Sequence, residues 1–432
     1  MTTKKQDVKE KEVKAKKQKE DKKEDNNLQE KNSILSIIEL IAIILFVVIV
    51  LVFFKGTVVY NIVVLLLMLS ALIFVHELGH FIMAKKFGVH VYEFAIGMGP
   101  LVYSFRRKND PTLYSLRALP IGGYNAIAGE SYDDDDKIPK EGKMCYKPKY
   151  QRLLILVAGV TMNFLTAFVL LFIIGFTGVT DQNNIVYQVE PNTPAATAGI
   201  VPGDKIIKLN GHKIDTWNYL SVVTILKNPD NKYVYEIEHK DGTRNTYEIT
   251  PRDAVQDTQG NIYYVDETNT VDKIVTDHNL KKGEYDETKI IGVQGDTEIK
   301  YGIKAAFSYA CKRFVTIIRS MLLIIGSLFT GKLSLDALSG PVGMYTVVKQ
   351  VTKVGFINVL YLTAYLSVNL GVMNILPFPA FDGGHVLFVL IEYITGKRVN
   401  EKFENLCHTI GFILLLLLMV FVLYNDIIRL IG

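Results

Sequence analysis

Apolar positions in this chain come in long runs on either side of a mixed, strand-rich middle that reads as soluble. Residues 34–54, 57–75, 153–176 and 409–424 are almost free of charge, and 354–377 is nearly as apolar. About 20 consecutive apolar residues match the hydrocarbon thickness of a bilayer. The pattern predicts a polytopic α-helical membrane protein with about five transmembrane helices, at 34–54, 58–84, 152–177, 354–377 and 407–427. Lys55 and Gly56 divide the first two. A coiled coil, a wholly disordered chain and an ordinary cytosolic enzyme are excluded.

Residues 302–330 read differently. Lys304, Ser308, Lys312, Thr316 and Ser320 recur every four residues, while Phe307, Val315, Ile317, Ile318 and Leu322 occupy the other faces. That spacing predicts an amphipathic helix lying at the lipid surface, outside the set of spans. Membrane lipid is thus an expected partner.

Charge sets the expected orientation. Residues 1–31 hold 11 Lys against 8 Asp or Glu and few large aliphatics, which predicts a disordered tail. Lysines just before an apolar span hold the N-terminus in the cytosol. Lys85, Lys86, Arg106, Arg107, Lys108 and Arg117 make 85–150 a cytosolic loop by the same rule. The strand-rich stretch 181–298 is then extracytoplasmic, and the chain is a multi-pass cell-membrane protein. The formal net charge of +4 offers nothing for nucleic acid to bind, so no nucleic-acid partner is expected. Three distant cysteines, Cys145, Cys311 and Cys407, suggest neither a disulfide framework nor a thiolate zinc site.

The candidate chemistry lies at His76-Glu77-Leu78-Gly79-His80. Residues i and i+4 share a helix face, so both imidazoles can hold one Zn²⁺. Glu77 points near the same place and can act as a base toward water. Ionisable groups at membrane depth are costly, which favours function over packing. A third ligand is missing nearby. Lys86 and Pro100 stand where known H-E-x-x-H zinc proteins carry theirs, and Glu93 comes too early. The span count brings the 354–377 helix to the same leaflet as the histidines. There it runs into Pro377, Pro379 and Asp382-Gly383-Gly384. Prolines and glycines break the helix, so backbone can line a polar cavity. Asp382 is the expected third ligand; His385 competes for that place and reads better as a helix residue behind the ligands.

Together, H-E-x-x-H in one span and Asn374-x-x-Pro377-x-Pro379-x-x-Asp382-Gly383 in a later one resemble the site-2 protease family of intramembrane zinc metalloproteases. The resemblance runs from about residue 61 to the C-terminus. It implies Zn²⁺ held by His76, His80 and Asp382, with Glu77 as catalytic base. Further matching pieces are Ile121-Gly122-Gly123-Tyr124, Asn163, Ser339-Gly340-Pro341-Val342-Gly343 and Asn369 ahead of Asn374. They imply substrate-binding roles for Gly122, Gly123, Asn163, Asn369 and Asn374. The element order is similar to the bacterial branch that cleaves anti-sigma factors and leftover signal peptides, with single-span membrane proteins as substrates. The usual Gly-Pro pair reads Gly159-Val160 here, Phe381 replaces the usual Leu, and the tail and first span are additions.

Two other regions bear on that function. Leu101–Phe105 and Thr112–Leu116 alternate apolar and polar about Asn109-Asp110-Pro111, which predicts a β-hairpin. Its edge can take an unwound substrate as an added strand. Residues 181–252 read as a small α/β domain with a hairpin across Asp241-Gly242, and Ala198–Gly211 resembles a PDZ domain of this family. Residues 253–298 read as an acidic insertion ending in a short strand at 289–293. A membrane PDZ scaffold with a structural metal is the alternative class. Closed structural zinc sites take four protein ligands, whereas three plus Glu77 is an open pattern. A transporter ranks last, because no inverted repeat is visible.

Overall fold

The computed structural model describes residues 38, 41–130, 138–180, 183–226, 232–257, 262–265, 270–281, 285–295 and 299–431. The expected tail at 1–31 lies outside them. Among the described residues four helices are long and apolar enough to cross a membrane, and the chain is a polytopic membrane protein. Of the expected 34–54 span, a shorter apolar helix α1 (Ile41–Phe53) is described. Two compact units are present, and helices divided between them link the two in sequence.

The first unit comprises residues up to Asn163, Pro341–Val359 and Met373–Met419. Helix α2 (Val58–Lys86) carries the H-E-x-x-H motif. The Thr57 side chain caps its start, and Lys85 and Lys86 complement the dipole at its end. Strands β1 (Val91–Arg106) and β2 (Leu113–Ile127) follow. They are longer than the expected hairpin, because each bends. Glu93–Ile96 lie opposite Gly123–Ala126 on one side and opposite Leu113–Leu116 on the other. Tyr103–Arg106 then flank Leu113–Leu116, so four segments lie side by side. Gly97 makes the corner in β1: its φ is +82°, and a Cβ there would stand 2.6 Å from the Leu119 carbonyl oxygen. Glu93 ties three segments together, accepting from Ser115, Arg117 and Tyr124.

This sheet packs on the zinc-motif helix. Phe94 packs in tilted contact against Phe74 and Phe81, with centroids 5.6 and 4.7 Å away. The Ser70 hydroxyl donates to the Pro120 carbonyl, and Lys85 Nζ lies 2.7 Å from Asp110 in the hairpin turn. Helix α3 (Lys149–Gly175) enters next, and its first residues fix a later element. The buried Arg152 meets the half-buried Glu392 at 2.7 Å, and Lys149 donates to the Glu392 carbonyl.

The second unit comprises Phe164–Gly340, Leu360–Val372 and Val420–Gly432. After β3 (Val179–Thr180), β4 (Gln188–Val189) and α4 (Pro194–Ala198) come β5 (Lys205–Leu209), β6 (His212–Lys213) and α5 (Trp217–Thr224). Strands β7 (Tyr233–Glu238) and β8 (Arg244–Ile249) complete a four-stranded sheet in the order β6-β5-β7-β8. Its core holds Val186, Ile206, Leu209, Val223, Tyr235 and Ile237. The acidic insertion is more ordered than the sequence suggests. It contributes β9 (Arg252–Asp257), β10 (Ile262–Tyr264), α6 (Val271–Asp277) and β11 (Tyr285–Ile290), with β9 central among the strands. The strand expected at 289–293 ends at Ile290, and β12 (Val293–Gln294) pairs separately with β4. Strand β13 (Ile299–Lys300) pairs with β3.

Helix α7 (Ile303–Phe329) is not among the four long apolar helices. Thr316 on it meets Thr216 at 3.1 Å, and Arg319 lies over the Tyr219 ring at 4.2 Å while pairing with Asp215. The polar stripe at 302–330 therefore splits. Thr316 and Ser320 are buried, and Lys304, Ser308 and Lys312 are exposed. The remaining helices are α8 (Pro341–Val354), α9 (Phe356–Ile375), α10 (Asp382–Thr395) and α11 (Glu401–Ile431). The expected 354–377 span is α9, set off from α8 at Gly355.

Candidate metal centre

Four segments of the first unit bring polar atoms to one place. Helix α2 supplies His76 and His80, both buried, one turn apart on one face. The chain breaks after α9, turns through Pro377–Phe381 and restarts as α10 with Asp382 at its first position. Helix α3 supplies Gly159 and Asn163, and the end of α9 supplies Asn374.

The distances suit a metal better than a hydrogen-bond network. His76 Nε2 and His80 Nε2 are 3.2 Å apart. Asp382 Oδ2 lies 2.9 Å from the first and 3.3 Å from the second. Yet Asp382 Oδ2 is buried and accepts no well-aligned hydrogen bond. Ligands about 2.0–2.1 Å from a tetrahedral Zn²⁺ stand ~3.3 Å from one another. Three acceptor atoms converging at that spacing are what a zinc ion needs.

The outer contacts set the tautomers. His80 Nδ1 donates to the Ile155 carbonyl at 2.8 Å, which leaves the Nε2 lone pair facing His76 and Asp382. Asn163, fully buried, meets His76 Nδ1 at 3.1 Å. The amide nitrogen of Asn163 faces the ring here; an imidazole ligating through Nε2 keeps its proton on Nδ1, which the Asn163 oxygen would accept with the amide turned over. Asn374 reaches His76 Nε2 at 3.3 Å and so borders the same space. Glu77 lies within electrostatic reach of His80 and Asp382.

Gly159 clears the space. A Cβ on it would stand 2.3 Å from His80 Nε2 and 2.7 Å from His76 Cε1. Sequence reasoning met this residue only as half of an altered Gly-Pro pair. The available signal was a glycine within an otherwise apolar helical run.

The other expected site residues fall as follows. Gly122 and Gly123 lie on β2, and a Cβ on Gly122 would stand 3.4 Å from the side chain of Ile73, three residues before His76. Asn369 belongs to the second unit and is outside this group. His385 lies one turn beyond Asp382 on α10, with Nδ1 3.2 Å from Glu404. His385, Glu404 and His408 form a second cluster, with ligand atoms within 4.8 Å of one another. Its imidazoles are stacked, with centroids 3.9 Å apart and planes at 17°. Their in-plane lone pairs therefore run side by side and do not converge on an ion.

Membrane-spanning helices around a two-histidine, one-carboxylate centre with an adjacent glutamate define a membrane metallopeptidase. The peptidase family M50 model matches residues 64–418, and the chain belongs to that family. It is 31% identical over 449 residues to the zinc metalloprotease RasP of Bacillus licheniformis, covering 86% of this chain and 99% of that one. It is 32% identical over 438 residues to the zinc metalloprotease RasP of Shouchella clausii, covering 84% and 97%. The regulator of sigma-W protease RasP of Bacillus subtilis is 29% identical over 451 residues, covering 86% and 99%. The chain is a zinc-dependent intramembrane metalloprotease.

Proposed function

We propose that His76, His80 and Asp382 hold the catalytic Zn²⁺ and that Glu77 is the base in the hydrolysis of peptide bonds within the membrane segments of single-span proteins. The convergence of three acceptor atoms within 3.3 Å carries this reading. When bound, zinc supplies a Lewis acid that brings the pKa of water to about 7. Glu77 takes the proton from the attacking water and passes it to the departing amine. His80, fixed by the Ile155 carbonyl, and His76, faced by Asn163, stay oriented throughout.

A helical substrate must unwind before its peptide bond can be attacked. The Gly122–Ile127 segment of β2, beside the zinc-motif helix, is a sheet edge on which an extended segment can pair. Gly122 and Gly123, both buried, let this segment pack closely where β2 turns, and Asn374 offers an amide at the cleavage position. The family resemblance extends a substrate-binding role to Asn369. Substrates in the manner of the sigma-W regulator are membrane-anchored anti-sigma factors, with signal-peptide remnants as a second group.

The lysine balance supports a cytosolic N-terminus. In this topology 181–298 is an extracytoplasmic PDZ-like domain that filters substrates, 302–330 rests at the lipid surface, and five spans include 34–54. The test is Glu77→Gln, which keeps shape but cannot accept the proton. Cleavage of a reconstituted single-span substrate should vanish while zinc stays at the parental level. Undiminished turnover would overturn the assignment.

A further inference from the structure

We propose that His408 is a positioning residue for the metal centre, holding the turn that presents Asp382 through a hydrogen bond to the Ala380 backbone. The proposal rests on the reading of Asp382 as a zinc ligand.

The turn from Pro377 to Phe381 is under strain at one residue. Ala380 has φ +84°, in the left-handed region that residues with a Cβ seldom occupy. Such a conformation persists only where surrounding contacts impose it. One contact is specific. The Ala380 N–H donates to His408 Nδ1 at 3.0 Å, from a turn two residues before Asp382 to the second turn of α11. Helix α11 can approach this closely because position 411 is glycine. A Cβ on Gly411 would stand 2.4 Å from the Pro379 carbonyl oxygen.

The chemistry of His408 points the same way. An imidazole whose Nδ1 accepts an N–H carries its own proton on Nε2. That Nε2 is buried and has no hydrogen-bond partner. A buried polar group left in this state is costly, and a residue chosen only to fill space would be apolar. His408 retains one polar contact, the one to Ala380. Its ring is held from behind by His385, stacked at 3.9 Å, and His385 Nδ1 donates to the buried Glu404 one helical turn from His408. Glu404, His385 and His408 thus form a brace that ends on the turn carrying the carboxylate. Residues that orient metal ligands typically change affinity or activity about 10–100-fold when replaced.

The test compares two substitutions at position 408. His408→Phe keeps the ring and the stack but removes the acceptor. His408→Asn discards the ring but puts an amide oxygen close to where Nδ1 was. Each purified full-length protein is loaded with Co²⁺, whose visible d–d bands report the ligand geometry, and zinc affinity is measured by competition with a chelator. His408→Phe should alter the cobalt spectrum, weaken zinc binding about 10–100-fold and lower kcat on a synthetic transmembrane peptide with little change in KM. His408→Asn should stay within a few-fold of the parent. Ala380→Gly in the His408→Phe background should restore much of the affinity, because glycine takes φ +84° without strain. A packing role gives the opposite order, with Phe near parental and Asn impaired, and that order overturns the proposal. So does a failure of Ala380→Gly to help. Asp382→Ala, measured alongside, separates the two claims. A parental cobalt spectrum there would remove the ligand assignment itself, whatever position 408 does.

Discussion

Gly159 of α3 lies so close to His80 of α2 that a Cβ on the glycine would stand 2.3 Å from the imidazole Nε2. The space in front of the two histidines is therefore kept open by a missing side chain. Gly159→Ala should abolish zinc binding and activity together. By helix propensity alone the same change stabilises a helix by about 1 kcal/mol. Zinc content by elemental analysis, read beside thermal unfolding in detergent, separates the effects. A variant that keeps full zinc would show that the ligands do not converge where we place them.

Asp382 should be indispensable to metal binding, and His385 should not be. Asp382→Asn keeps size but removes the charge that helps neutralise Zn²⁺, so affinity and activity should both fall, and Asp382→Ala should be worse. His385→Ala leaves the converging atoms in place, and most of the metal should stay. Zinc stoichiometry of the purified variants, with X-ray absorption on the parent, decides. Full zinc in Asp382→Ala with loss in His385→Ala would make the centre all-histidine.

What could be read from the sequence followed the range of the interaction. The His76–His80 pair is local, one helical turn, and needs only the motif. Asp382 was reachable across some 300 residues because topology and the Pro377–Gly384 turn chemistry both constrain it. His408 carries no local signal and Gly159 only that of a glycine in an apolar helical run, since each matters only through a neighbour that tertiary packing brings up. The bent sheet was half visible. Alternation at 101–105 and 112–116 marks the hairpin, but the glycines at 97, 99, 122 and 123 erase the period where the strands turn corners. Helix α8 went unread because Gly343 and the lysines at 349 and 353 interrupt its apolar face. The insertion's strands are short, and charged residues hide their period.

The ion pair between Lys85 and Asp110, 2.7 Å apart, should anchor the sheet to the zinc-motif helix. Burial raises the Asp110 pKa, but the bonds from Lys85, Thr112 and Tyr114 outweigh it and hold the carboxyl well below the usual range. A depressed folded-state pKa means stabilisation that is full above the unfolded value of about 3.9. It is lost as the pH falls through the folded value. The protection from hydrogen exchange that this pair gives β1 and β2 should therefore be constant from neutral pH down to about pH 4. Asp110→Ala should loosen the hairpin at neutral pH by about 1 kcal/mol. Equal protection in variant and parent would mean the aromatic contacts alone hold the sheet.

Excising 181–298 should leave the chemistry intact and change only which substrates are admitted. The argument begins with β3 and β13. Thr180 lies directly opposite Ile299 in their antiparallel pairing, so the domain's entry and exit are adjacent. A two-residue Asn-Gly turn joining Thr180 to Ile299 closes a hairpin of the favoured type. No residue of the metal centre lies in the excised segment. His76, Glu77, His80, Asn163, Asn374 and Asp382 all belong to the first unit. Excision does strip two α7 side chains of their partners, Arg319 of Asp215 and Thr316 of Thr216. A buried threonine and an arginine are then laid bare, so Arg319→Gln and Thr316→Val in the deletion background should recover lost yield. The shortened protein should bind zinc as the parent does and cut a short transmembrane peptide at a similar rate. It should also cut substrates with bulky external domains that the parent rejects. Mass spectrometry of the products from both substrate classes measures this. A shortened protein that folds and binds zinc yet cuts neither class would make the domain part of the catalytic machinery.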